Sequence, residues 1–297
     1  METATSAPER RLAALVTDWY AEHSRDLPWR APGVSAWAVL VSEIMLQQTP
    51  VNRVLPVWRE WLARWPSPQD LAVQPAAEVI RAWGRLGYPR RALRLHECAK
   101  ALVERHGGAV PWDVEALLAL PGIGAYTARA VAVFAYGDRH PVVDTNVRRF
   151  VARAVSGLPD AGPPRTVADL AAVEELLPVE APAAARASVA FMELGALICT
   201  ARTPRCADCP VYAECGWQRA GRPAGTGPAR KAQKFAGTDR QVRGLMMAVL
   251  RDATGPVPRA ALDAVWQDAA QRERALSGLL DDGLVDRLPY DRYALPS

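Results

Sequence analysis

The chain has 297 residues, half of them hydrophobic, and a formal net charge of +4. That length and apolar share allow two or three domains with real cores, while no run of ~18 apolar residues marks a transmembrane helix. The small positive balance permits a nucleic-acid partner without requiring one, and the polar start METATSAPERR lacks an apolar signal core, so a cytoplasmic protein is expected. Among the basic residues only Lys100, Lys231 and Lys234 are lysines. Lysine-dependent chemistry therefore has few candidates.

Apolar periodicity predicts a helix over 10–23, with Leu12, Leu15, Val16 and Trp19 on one face. Arg25-Asp26-Leu27-Pro28-Trp29-Arg30 interrupts it. Trp29 and Arg30 read either as a packed loop or as a lip that touches a nucleotide. A second helix is predicted over 35–48, with Ser35 as N-cap. Glu43 sits on it with Val39, Leu40, Leu46 and Gln47 as its helical neighbours, three of them apolar. A carboxyl in such surroundings can hold a proton near neutral pH; a glutamate at a helix edge, reaching out to water, has the same pattern. Gln47, Gln48 and Thr49 offer amide and hydroxyl groups before Pro50. Helices at 51–65, 75–85, 90–106 and 113–120 follow, separated by Pro or Gly signals. Leu86-Gly87-Tyr88 lies between two of them, either as an ordinary helix C-cap or as a wedge for a base stack.

Leu120-Pro121-Gly122-Ile123-Gly124 then makes a tight turn, and Ala125-Tyr126-Thr127-Ala128 opens another helix. Gly122 and Gly124 let the backbone turn and bring its N–H groups to the surface at a helix start, where they can hold a phosphate. The run before the turn is helical and Thr127 replaces the third glycine of a dinucleotide fingerprint, so that fold is excluded. Asp144 precedes a helix over 145–155 as an N-cap candidate, and capping favours its ionised form. Further helices are predicted at 166–177 and 183–198.

Cys199, Cys206, Cys209 and Cys215 fall within CTARTPRCADCPVYAEC. In a cytoplasmic chain such clustering reads as a metal site rather than disulfides. Four thiolates suit zinc, but only Cys206 and Cys209 form a close pair, and iron–sulfur clusters accept more varied spacing. Arg202 and Arg205 project from the loop between the first two cysteines. Cys98 stands apart as a buried thiol. Residues 218–236 read as a basic linker. The tail predicts helices at 238–252, 258–266 and 271–281 and a hairpin, which together suggest a winged-helix-like module at 237–297.

These motifs in this order resemble the helix-hairpin-helix DNA glycosylase superfamily, and closely its adenine DNA glycosylase (MutY) branch. The resemblance rests on Leu27-Pro28-Trp29-Arg30, Ser42-Glu43-Ile44-Met45-Leu46-Gln47-Gln48-Thr49, Gly84-Arg85-Leu86-Gly87-Tyr88, the Leu120–Gly124 turn, Val143-Asp144-Thr145-Asn146-Val147, and Glu193-Leu194-Gly195-Ala196 with the four cysteines. It spans about residues 10–217. It implies an all-α fold: a six-helix barrel over 25–135, and a second domain of 1–24 plus 136–217 carrying a [4Fe–4S] cluster on Cys199, Cys206, Cys209 and Cys215. It also implies a cleft that removes adenine mispaired with 8-oxoguanine or guanine in double-stranded DNA. Glu43 and Asp144 become the catalytic pair, with Tyr126 and Asn146 in support. Trp29, Arg30, Gln48, Thr49, Leu86, Tyr88, Gly122, Gly124, Arg202 and Arg205 become DNA contacts. Strand-cutting relatives carry a lysine at the Tyr126 position, so a monofunctional enzyme is expected; separately, a monomer is expected. A thymine-mismatch or oxidised-pyrimidine glycosylase, and a non-catalytic DNA-binding Fe–S protein, are the alternatives. The chain departs from the resemblance at Val189, where an amide or acid is common, and in its short helical tail, where most such chains carry a β-rich Nudix-like domain.

Overall fold

The computed structural model describes residues 7–225 and 235–297. Part of the expected basic linker, with Arg230, Lys231 and Lys234, lies outside the described residues. Helices α1 (Ala7–His23), α2 (Ala36–Leu46), α3 (Val51–Arg64), α4 (Pro68–Ala72), α5 (Ala76–Trp83) and α6 (Arg90–His106) come first. Then follow α7 (Val114–Leu118), α8 (Ala125–Tyr136), α9 (Thr145–Ala154), α10 (Thr166–Glu174), α11 (Ala181–Leu197) and α12 (Gly216–Arg219). The tail forms α13 (Asp239–Asp252), β1 (Val257–Pro258), α14 (Arg259–Asp263), α15 (Ala269–Asp281), β2 (Asp286–Leu288) and β3 (Arg292–Ala294). The fold is mostly helical, in line with the expected all-α class. The sheet among the described residues is small, in the order β1-β3-β2 with antiparallel pairing, Tyr293 standing between Val257 and Arg287. Helix, strand, two helices and two strands is the succession of a winged-helix module.

Helix α4 was not predicted from periodicity, because five residues are too few to show any. Its signal is local. Asp70 Oδ2 accepts from the Ser67 N–H at 3.0 Å, the Ser67 hydroxyl accepts from the Asp70 N–H at 3.4 Å, and Pro68 opens the helix.

The chain divides into two compact units, and the boundary crosses α2 between Val39 and Leu40. The first unit takes residues up to 39, 111–118 and 123–229. Its core joins α1, α9 and α11 through Val16, Val147, Phe150, Phe191 and Leu194. The Phe150 and Phe191 rings stack with centroids 5.5 Å apart. The second unit takes 40–110, 119–122 and 230–297. Trp61 meets Trp65 and Trp83 edge-on at 4.9 and 5.5 Å. The tail shares this unit's core: Val242, Met246, Leu250, Leu276, Leu279 and Tyr293 cluster with Ile80 of α5, and Leu93 of α6 packs against them. Each such side chain, fully buried, contributes about 1.5–3 kcal/mol.

Candidate active site

Asp144 is the N-cap of α9. Its Oδ1 accepts from the backbone N–H groups of Asn146 at 2.8 Å and Val147 at 2.7 Å, and Oδ2 accepts from Asn146 Nδ2 at 2.7 Å. The Asn146 amide is oriented in turn. Arg149 can only donate, and its Nη2 donates to Asn146 Oδ1 at 2.8 Å, so the amide nitrogen must face Asp144. Arg149 also donates to the carbonyls of Gly195 and Cys199, each at 2.6 Å. Gly195 makes this packing possible. A Cβ there would lie 2.7 Å from the Asn146 carbonyl oxygen, so only glycine lets α11 approach the start of α9.

The charge balance on Asp144 differs from the expectation. Burial pushes its carboxyl up, and this outweighs the downward pull of the Val147 and Asn146 hydrogen bonds and the Arg149 charge. The cap was legible in the sequence; the desolvation around it was not. Tyr126 is half-buried in the first turn of α8 and packs against Ala130, Val133 and Val142.

Cys199, Cys206, Cys209 and Cys215 line one pocket, walled by Phe150, Ile198, Val211 and Trp217. Arg153, one turn beyond Arg149 on α9, binds this loop. It donates to Cys199 Sγ at 3.5 Å and to the carbonyls of Thr200 at 2.7 Å and Ala201 at 3.2 Å, and Cys215 Sγ donates back to the Arg153 carbonyl at 3.5 Å. One helix thus ties the Asp144 end to the cysteine loop. Among the described residues no three of His, Cys, Asp or Glu converge closely enough for a single metal ion. Burial and the neighbouring thiols push the Cys209 thiol up to about 12. Burial pushes Cys98 up to about 12 as well, as expected for an inert thiol.

Glu43 belongs to the second unit and is only 7% exposed, close on α2 to the buried Leu40 and Ile44. The reading of a glutamate reaching out to water therefore fails. Beyond it, Arg91 organises the turn that ends α2. Its Nη1 donates to the carbonyls of Ile44 at 2.9 Å, Met45 at 3.0 Å and Gln47 at 2.6 Å; its Nη2 donates to Thr49 Oγ1 at 2.9 Å and the Gly87 carbonyl at 3.0 Å. These bonds satisfy carbonyls that a helix end leaves unpaired. Burial lowers the Arg91 guanidinium to about 10, so it stays charged at neutral pH. Gln48 and Tyr88 both adopt left-handed backbone, with φ of 57° and 49°. A pocket beside them is lined by Gln47, Gln48, Tyr88, Arg90, Arg91 and Arg94.

Several expected DNA contacts are not on the surface. Trp29, Thr49 and Leu86 are 5%, 6% and 3% exposed. Thr49 is held inside by Arg91 and by its own bond to the Leu86 carbonyl at 3.3 Å. Arg30 donates to Glu193 at 3.0 Å, so its charge is already partnered. Tyr88, Gln48, Gly122, Gly124, Arg202 and Arg205 are exposed. Gly122 has φ +77°, and a Cβ there would meet Arg94 Cβ at 2.8 Å, so the turn needs glycine.

Glu193 has no role in the sequence beyond its place in a motif. It is fully buried, and takes 2.7 Å bonds from Arg25 Nε and Nη2 as well as the Arg30 bond. Burial alone would raise its carboxyl; the two arginines overcome that and hold it at about 2. The signal was available: a lone carboxylate inside the apolar α11, the same pattern that drew attention to Glu43.

A family profile described as HhH-GPD superfamily base excision DNA repair protein matches residues 41–174. An adenine DNA glycosylase of Mycobacterium tuberculosis is 58% identical over 279 residues, covering 94% of this chain and 91% of that protein. The chain belongs to the adenine DNA glycosylase family. A second relative of that name, from Mycolicibacterium smegmatis, is 59% identical over 278 residues, covering 93% of each chain. Membership makes the chain a DNA glycosylase of base excision repair. The fold is that of a solved thermostable thymine-DNA glycosylase, with a TM-score of 0.64 and 25% identity over 72% of this chain and 97% of that one. Among the described residues no helix is long and apolar enough to cross a membrane.

Proposed function

We propose that this adenine glycosylase family member flips adenine out of a mispair with 8-oxoguanine or guanine and hydrolyses its N-glycosidic bond, leaving the strand uncut. The observation that carries the reading is the oriented set Asp144–Asn146–Arg149, matched by a buried Glu43. Extrusion of the base costs roughly a few kcal/mol. Adenine then leaves only when its ring gains a proton, which the buried Glu43 gives at N7. The C1′–N9 bond breaks, its electron pair stays with adenine, and the sugar becomes an oxocarbenium-like cation. Asp144 faces that cation. One oxygen is committed to two backbone N–H groups, and the other, steadied by Asn146, stabilises the sugar or bonds to it transiently. Water completes the hydrolysis. Two carboxyl groups with different environments are the pattern for glycosidic cleavage. Tyr126 supports Asp144 and the incoming water. No lysine lies between Lys100 and Lys231 to form a Schiff base.

The cysteine pocket fits a [4Fe–4S] cluster. Four sulfurs border one apolar space, and Arg153 already donates to Cys199 Sγ. The cluster would be held by Cys199, Cys206, Cys209 and Cys215 and would fix the loop that displays Arg202 and Arg205. Hydrolysis needs no electron from it. Purified protein is expected to be brown with about four irons per chain; colourless protein with stoichiometric zinc contradicts this assignment.

The substrate reading is tested with duplexes carrying A opposite 8-oxoguanine, A opposite guanine, and T opposite guanine, followed by alkali. Cleavage is expected at adenine in the first two and not in the third. Cleavage at thymine alone, or at no base, overturns it.

A further inference from the structure

The tail shares a unit with the residues around Tyr88, and two side-chain contacts join them. The guanidinium of Arg240, in the first turn of α13, lies 5.6 Å from the centre of the Tyr88 ring. Asp282, just past α15, accepts from Arg90 at 3.0 Å and also pairs with Arg243 of α13. Tyr88 and Arg90 both line the pocket shared with Gln47, Gln48 and Arg94. The tail therefore reaches this pocket through two of the residues that form it.

Tyr88 is held in an unusual state. Its φ of 49° lies in a region that aromatic residues rarely adopt. The Gly87 carbonyl before it is fixed by Trp83 Nε1 and Arg91 Nη2, each at 3.0 Å. The Arg91 guanidinium also lies 5.6 Å from the Tyr88 ring centre. Two cations, one from α6 and one from the tail, thus stand over a single ring that is 45% exposed. The titratable groups of this pocket besides the tyrosine are all arginines. Such a surface suits a polyanion with stacked bases.

We propose that the tail module is a working part of the DNA-binding surface: Arg240 is a positioning residue that sets Tyr88 for contact with DNA, and the Arg90–Asp282 pair latches the module in place. This rests on the reading of Tyr88 as a DNA contact. The test uses the full chain and a duplex whose target adenosine carries a 2′-fluoro sugar that resists hydrolysis. Arg240→Ala should weaken binding about tenfold. The single-turnover rate on normal duplex at saturating enzyme, and the melting temperature, should not change. Arg240→Lys should recover part of the loss. In a Tyr88→Ala background, Arg240→Ala should add less than about twofold, because coupled residues are not additive. Equal losses in both backgrounds would show that Arg240 binds DNA independently and would overturn the proposal. So would unchanged affinity in Arg240→Ala while Tyr88→Ala binds weakly. Unchanged affinity in Tyr88→Ala would instead refute the reading of Tyr88 itself.

Discussion

Asp144→Asn is expected to lose base release by on the order of 10³-fold or more, since it removes charge at the place where the sugar becomes cationic. Duplex affinity should stay within a few-fold. The asparagine keeps an oxygen for the N–H groups of Asn146 and Val147, so the start of α9 is preserved. Stability should fall modestly, because the new amide nitrogen faces Asn146 Nδ2, donor against donor, where the carboxylate accepted at 2.7 Å. Part of this is offset: burial raises the Asp144 carboxyl, so its charge opposes folding increasingly as pH rises above the ordinary 3.8, and deleting the charge removes that cost. The same direction fixes the pH profile. Only the ionised form stabilises the sugar, so the single-turnover rate falls as pH drops through a value above the ordinary 3.8. Rapid-quench kinetics, a binding titration and a melting curve check the three parts. Near-full activity in the variant refutes the role of Asp144.

Glu193→Gln is expected to be the most damaging of the isosteric changes for stability. It leaves Arg25 and Arg30, both partly exposed, facing a neutral amide at a fully buried position. Breaking a fully buried pair costs about 3–5 kcal/mol; both arginines reach solvent, so the loss falls at or below the lower end of that range and is measurable as a lower urea midpoint. The pH dependence has a definite sign. The folded carboxyl sits at about 2, below the ordinary 4.5. Its stabilisation is therefore complete above about 4.5 and is lost as pH falls toward 2. It amounts to about 3 kcal/mol. The gap between the natural protein and the variant should narrow across that window. Equal stability at pH 7 contradicts the account.

What the sequence made legible follows a physical division. Local signals were read correctly. Helix α6 runs over 90–106 as expected, because Pro89 precedes it and Gly107 ends it in left-handed backbone. The burial of Glu43 follows from apolar neighbours on its own helix, and the capping by Asp144 is set by adjacent residues, while their catalytic roles came from the family resemblance. Features that depend on distant chain were not legible. Arg149 orients Asn146 from the same helix, but its other partners, Gly195 and Cys199, are on and just past α11. The glycine that allows this contact looks like any other in the sequence. Thr49 and Leu86 were expected at the DNA because their motif suggested it, yet both are buried, with Arg91 bonded to Thr49 and Thr49 bonded to the Leu86 carbonyl. The tail helices were legible, but the shared core with Ile80 and the contact of Arg240 with Tyr88 required the fold.

The proposed reaction is hydrolytic release of adenine with Glu43 as acid and Asp144 as stabilising carboxylate. The most direct measurement is separation of the products of a single turnover on an A opposite 8-oxoguanine duplex, before any alkali. Free adenine is expected, one per duplex, with the strand intact, and no adenine from Asp144→Asn. A strand nicked before alkali, or no free adenine from the natural sequence, would contradict it.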